Sequence, residues 1–147
     1  MRLARMILPV IVALGLCATG SAMAQDLAYK EGAVWSVTLV KVKPGMLNQY
    51  MRDLATTRKP VMEEAQKQGL ILSQKMLAGP SSNHEDFNMV LMVEYKNWAA
   101  FDGLTSKFDA INSKLIGSED KRTQINVKRT DMREILGSKN MQEMHFK

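Results

Sequence analysis

Cysteine is almost missing from this 147-residue chain: the single one, Cys17, sits in an apolar N-terminal run. Residues 25–147 therefore hold no thiol, which excludes disulfides, zinc-thiolate sites, iron–sulfur clusters and a cysteine nucleophile there. Histidine is nearly as scarce, with His84 and His145 the only two. His84 stands beside Glu85 and Asp86, but three consecutive polar residues in a turn cannot all converge on an ion, so they read as a solvated loop. No spacing places a nucleophile beside either histidine. A phosphate-binding glycine loop and a dinucleotide fingerprint are also missing. Charge is not strongly one-sided: the net value is +5. Taking Arg2 and Arg5 from the 20 basic residues leaves 18 against 15 acidic ones, or +3. That is too weak and dispersed for nucleic acid, which is not expected as a partner. What is present is ordinary for one globular domain, with 46% hydrophobic and 24% charged residues.

Residues 1–24 have the three-part pattern of a secretory signal: Arg2 and Arg5, an apolar stretch from Met6 to Cys17, then Ser21-Ala22-Met23-Ala24. The apolar stretch is about 12 residues, short of the roughly 20 needed to span a bilayer. A lipoprotein signal fits less well, because Leu16 rather than a small residue precedes Cys17. The expectation is cleavage after Ala24, export to the periplasm or beyond, and no membrane attachment afterwards.

The rest divides into a linker (25–32), a domain (33–136) and a C-terminal tail (137–147). Residues 33–42 alternate as a strand, with Trp35, Val37 and Leu39 on one face and Val34, Ser36, Thr38, Val40 and Val42 on the other. Lys43-Pro44-Gly45 ends it. Leu47, Tyr50, Met51, Leu54, Arg58, Val61, Met62 and Ala65 then recur at helical spacing up to Gly69, with Pro60 expected to kink or divide the helix. Residues 70–77 and 87–95 read as two further strands separated by a turn-rich segment. From an Asn97 cap, Trp98, Phe101, Leu104, Phe108, Ile111 and Leu115 form one helical stripe. A polar loop follows, then a fourth strand over 125–135, in which Arg129, Asp131 and Arg133 share a face. The order strand, helix, strand, strand, helix, strand is the split βαβ arrangement. It predicts an α+β fold with a four-stranded antiparallel sheet and two helices on one face. Apolar residues on both strand faces, Val34, Val40, Val42, Val90 and Met92 among them, predict that two sheets pack face to face in a homodimer.

The Lys-Pro-Gly strand end at 43–45, and Val-Glu-Tyr-Lys-Asn-Trp-Ala-Ala-Phe at 93–101 running into a helix, resemble the ferredoxin-like dimeric α/β-barrel superfamily. That superfamily includes the antibiotic-biosynthesis monooxygenase-like and NIPSNAP-like domains, and the resemblance spans residues 33–135. It implies a barrel shared by two protomers but no single chemistry, since the scaffold hosts oxygenases, haem-degrading enzymes and other members. The haem-degrading branch implies an asparagine, a tryptophan and a histidine where this chain has Thr38, Trp98 and Phe108. Without the histidine the iron has no such ligand, and no cofactor is expected.

Candidate ligand-binding residues are Trp98, Trp35, Thr38, Tyr50 and Arg129; no catalytic residue can be assigned. Trp98 and Trp35 are either core or pocket lining, and Tyr50 either points into a cavity or reaches solvent at its tip. Arg129 either lines the barrel as a fixed cation for a carboxylate or enolate, or guards an exposed strand edge. The leading expectation is a protein that binds a small hydrophobic or aromatic molecule between sheet and helices, with or without catalysis. The alternative is a cofactor-independent monooxygenase acting on an aromatic substrate, with Trp98, and Arg129 as a second candidate, positioning that substrate. A third reading has Met141, Met144 and His145 of the tail binding Cu(I).

Overall fold

The computed structural model describes residues 27–147; the leader, its cleavage point and residues 25–26 lie outside the described residues. The elements are β1 (Tyr29–Val42), α1 (Leu47–Lys67), β2 (Ser73–Ala78), β3 (Met89–Tyr95), a 3-10 turn (Trp98–Phe101), α2 (Leu104–Leu115), α3 (Glu119–Thr130) and β4 (Arg133–Phe146). The strands form one sheet in the order β2-β3-β1-β4, antiparallel at every pairing. This is the expected α+β architecture with one helix more than expected. No described helix is long and apolar enough to cross a membrane.

The turn at 43–45 works as its residues suggest: Gly45 takes φ +77°, and the Met46 N–H returns to the Lys43 carbonyl at 3.0 Å. At the far end of α1, Gly69 (φ +70°) closes a Schellman pair, Gly69 N–H to Gln66 O and Leu70 N–H to Ala65 O. Pro60 does not divide α1, which runs through it as one helix. The stripe from Trp98 to Leu115 is divided instead. Asn97 caps a 3-10 turn, its side chain accepting the Ala100 N–H at 3.1 Å, and Gly103 (φ +65°) separates that turn from α2.

The C-terminal third departs most from expectation. Residues 119–130 are helix rather than loop and strand, with Ser118 accepting the Lys121 N–H as cap and Glu119 and Asp120 in the first turn. Arg129 therefore lies on α3 and Asp131 just past its end, so no strand face unites them with Arg133. The fourth strand starts at Arg133 and runs through the segment expected to be a tail. Its beginning pairs with the end of β1, and its end pairs Phe146 with Tyr29 and His145 with Lys30, so residues 29–32 of the expected linker and 137–146 of the expected tail are strand. Two register shifts hide the period of two: an extra residue in β1 between Glu31 and Val34, and one in β4, Leu136, opposite Leu39 and Val40.

Val34, Val40 and Val42 pack under the helices with Leu91 and Val93 of β3, so they do not belong to the helix-free face. That face carries Trp35, Val37 and Leu39 of β1 opposite Glu94, Met92 and Val90 of β3. None of these is in the helix-packed core. The core itself comes in two clusters. One gathers Val34, Val61, Ala65, Ile71, Tyr95 and Ile111; the other gathers Val40, Val42, Tyr50, Leu54, Leu91 and Met132.

Candidate functional site

Between the two clusters the inward stripe of β1 turns polar. Val34 and Val40 are fully buried, but Ser36 and Thr38 between them have no apolar side chain to offer the helices. A cavity of about 540 Å³ opens there, within the size range of small-molecule sites. Thr38, Leu91 and Ile135 form its floor, and α1, α2 and α3 its walls. Tyr50, Leu54, Arg58 and Val61 project from α1 at spacings of four and three, which puts a cation in the middle of an otherwise apolar stripe.

Four arginines line this space: Arg58 from α1, Arg122 and Arg129 from α3, and Arg133 from the start of β4. Two are engaged. The Arg129 Nε donates to Asp53 Oδ2 at 2.6 Å, its Nη2 donates to the Thr57 hydroxyl and its Nη1 to Asn126 Oδ1 at 3.3 Å, tying α3 to α1. Arg122 Nη1 donates to Asp109 Oδ1 at 3.0 Å, tying α3 to α2. Arg58 and Arg133 form no ion pair among the described residues. The Nε groups of Arg58, Arg122 and Arg133 are buried without a hydrogen-bond partner. Burial depresses the Arg58 pKa below the ordinary guanidinium range; the phenols of Tyr50 and Tyr95 oppose this, and the nearby Arg129 charge adds to it. Burial likewise pushes the Tyr95 phenol up, against the pull of Arg58.

Of the five residues singled out from sequence, the cavity brings together Thr38, Tyr50 and Arg129. Arg129 lines it as a brace already holding a carboxylate, not as a free cation. Trp98 is neither core nor lining: it is 51% exposed on the 3-10 turn, its ring 6.0 Å from that of Phe101. Its stripe breaks at Gly103, so it never faces the sheet with Phe108. Trp35 points to the helix-free face, where Lys75 Nζ lies 4.9 Å from its ring centroid. Arg58, Arg122 and Arg133 were missed. A cation inside an apolar stripe was the visible signal for Arg58; Arg122 had none, because α3 was read as loop and strand.

The tail does not gather a copper site. Met141, Met144 and His145 lie on an extended strand, where alternation sends Met144 to the opposite side from the other two. Among the described residues, no group of three His, Cys, Asp or Glu is placed to hold a metal ion.

No protein-family profile and no curated protein matches the chain. Solved structures do. HapK from Hahella chejuensis superposes with a TM-score of 0.50 at 6% identity, over 75% of this chain and 91% of that one. A NIPSNAP family protein of unknown function from Agrobacterium tumefaciens gives a TM-score of 0.45 at 9% identity, over 79% and 90% of the two chains. A dimeric ferredoxin-like protein from an uncultured marine organism gives 0.51 at 15% identity, over 78% of this chain and 96% of that one. At such identities the likeness is one of fold, and the chain has the ferredoxin-like α+β fold.

Proposed function

We propose that this chain is an exported homodimer in which each protomer binds a small organic molecule between its sheet and helices. The observation that carries the binding reading is the cavity over Thr38 and Leu91, which separates a core that is otherwise close-packed on either side. Buried polar groups without partners on its walls support the same reading, since native proteins rarely leave them unanswered. The oxygenase reading, which rests on Trp98 and Arg129, has less support: Trp98 lies outside the cavity, and Arg129 lines it but already holds Asp53.

Dimerisation is supported by the helix-free face. Trp35, Val37, Leu39, Val90 and Met92 form a contiguous apolar surface on adjacent strands, of the kind monomers seldom leave in water. A two-fold axis through it would pair the patch with itself. The similar structure from the uncultured marine organism is itself described as dimeric. Export rests on the composition of residues 1–24 alone.

The binding reading is tested by recording backbone amide spectra of residues 25–147 while titrating a mixed library of neutral and charged aromatic and aliphatic fragments. Shifts clustered at Thr38, Leu54, Leu91 and Ile135 are expected. Shifts confined to the helix-free face, or none from any fragment, would overturn the reading.

A further inference from the structure

We propose that the ligand is an organic anion: an apolar body carrying one oxyanion, held by Arg58 and Arg133. This rests on the cavity being the ligand site and adds the class of molecule it takes. Two carboxylates, Asp109 and Glu119, line the cavity, and a third, Asp53, reaches one of its arginines from behind the lining. Asp53 is taken by Arg129 and Asp109 by Arg122, while Glu119 is exposed in the first turn of α3 and makes no ion pair. The protein thus neutralises two of its four cavity arginines and leaves two without a counter-ion. Leaving a guanidinium half out of water with an unmatched N–H is unfavourable, and Arg58 Nε and Arg133 Nε are both in that position.

The braces also hold the remaining cations in place. Arg129 bonds Thr57, the residue before Arg58, and so fixes the turn of α1 from which Arg58 projects. Arg133 begins β4, directly after the two-residue turn that ends α3. A neutral apolar ligand would leave both Nε–H groups unanswered, and a metal cation would be repelled. An oxyanion supplies acceptors to both, in the forked geometry that guanidinium groups favour. Leu54, Leu91 and Phe108 provide the apolar contact for the rest of the molecule. Carboxylate and phosphate monoester share this chemistry.

The test is a calorimetric titration with three matched probes: naphthalene-2-carboxylate, 2-naphthyl phosphate and the neutral naphthalene-2-carboxamide. The wild type should bind one of the two anions at least about tenfold more tightly than the amide. The tighter of the two names the headgroup. Arg58→Gln and Arg133→Gln should each erase most of that preference for the anion over the amide. Arg58→Lys, which keeps the charge and not the fork, should fall between, and it carries the test if Arg58→Gln does not fold. Equal affinity for anions and amide, or a preference that survives both glutamine substitutions, would overturn the proposal. If amide spectra still place those probes at Thr38 and Leu91, only the anion assignment fails; if no probe reaches the cavity, the binding reading fails with it.

Discussion

Asp53 on α1 and Arg129 on α3 meet at 2.6 Å across 76 positions of sequence, with side chains 18% and 16% exposed. Neither helix has a strong apolar claim on the other, since α3 has no buried residue. This ion pair and the Arg129–Thr57 bond tie α3 to α1, and the Arg122–Asp109 pair ties it to α2. Asp53→Ala should therefore cost about 2 kcal/mol, because it strands a largely buried guanidinium. Urea unfolding reads this directly. The double variant Asp53→Ala/Arg129→Met should recover part of the loss; a single-variant loss below about 0.5 kcal/mol would show that the pair is not a brace.

The elements with their own sequence period were legible and those defined by a partner were not. β1, α1 and β3 carry alternation or helical spacing long enough to stand alone, and each appears within a few residues of its expected limits. By contrast, β4 contains Leu136 as an extra residue and pairs its last turn of chain with residues 29–31. Its period is broken and its apolar content is low, so only the neighbouring strand makes it a strand. The helix α3 had visible signals in Ser118, Glu119 and Asp120, but its mean composition is so polar that the cap read as a loop. The site followed the same rule. Thr38 and Tyr50 stand on elements whose period is legible, whereas Arg129 and Arg133 are expected on one strand face that does not form and Arg122 in a polar loop that is helix.

If β1 depends on β4 along its whole length, removing residues 137–147 should abolish folding rather than trim a tail. The truncated chain would lose the β4 partner of Tyr29 to Leu39, leaving Tyr29 to Glu31 without a ladder and Val34 to Leu39 held by β3 alone. Calorimetry should show no cooperative thermal transition. A truncated protein that melts cooperatively near the wild-type temperature would refute the pairing.

The helix-free face gives a prediction about assembly. Val90 belongs to this face, opposite Leu39 of β1 and Leu77 of β2. Val90→Asp would place an unpaired carboxylate between two sheets, and the dimer should dissociate. Light scattering at micromolar concentration should report a monomer or the loss of soluble protein. A dimer of unchanged thermal stability would place the interface elsewhere.

Trp98 gives the contrary kind of prediction. Half-exposed and in contact with Phe101, it should be replaceable by alanine for about 1 kcal/mol or less. Probe binding should not change. An affinity loss of tenfold or more in Trp98→Ala would return this residue to the site.

The most direct measurement is a crystal structure of the protein saturated with naphthalene-2-carboxylate. The account predicts the ring against Leu54, Leu91 and Phe108 and the carboxylate at Arg58 and Arg133. A ring seated only on the Trp35 face, with the cavity left empty, would contradict it.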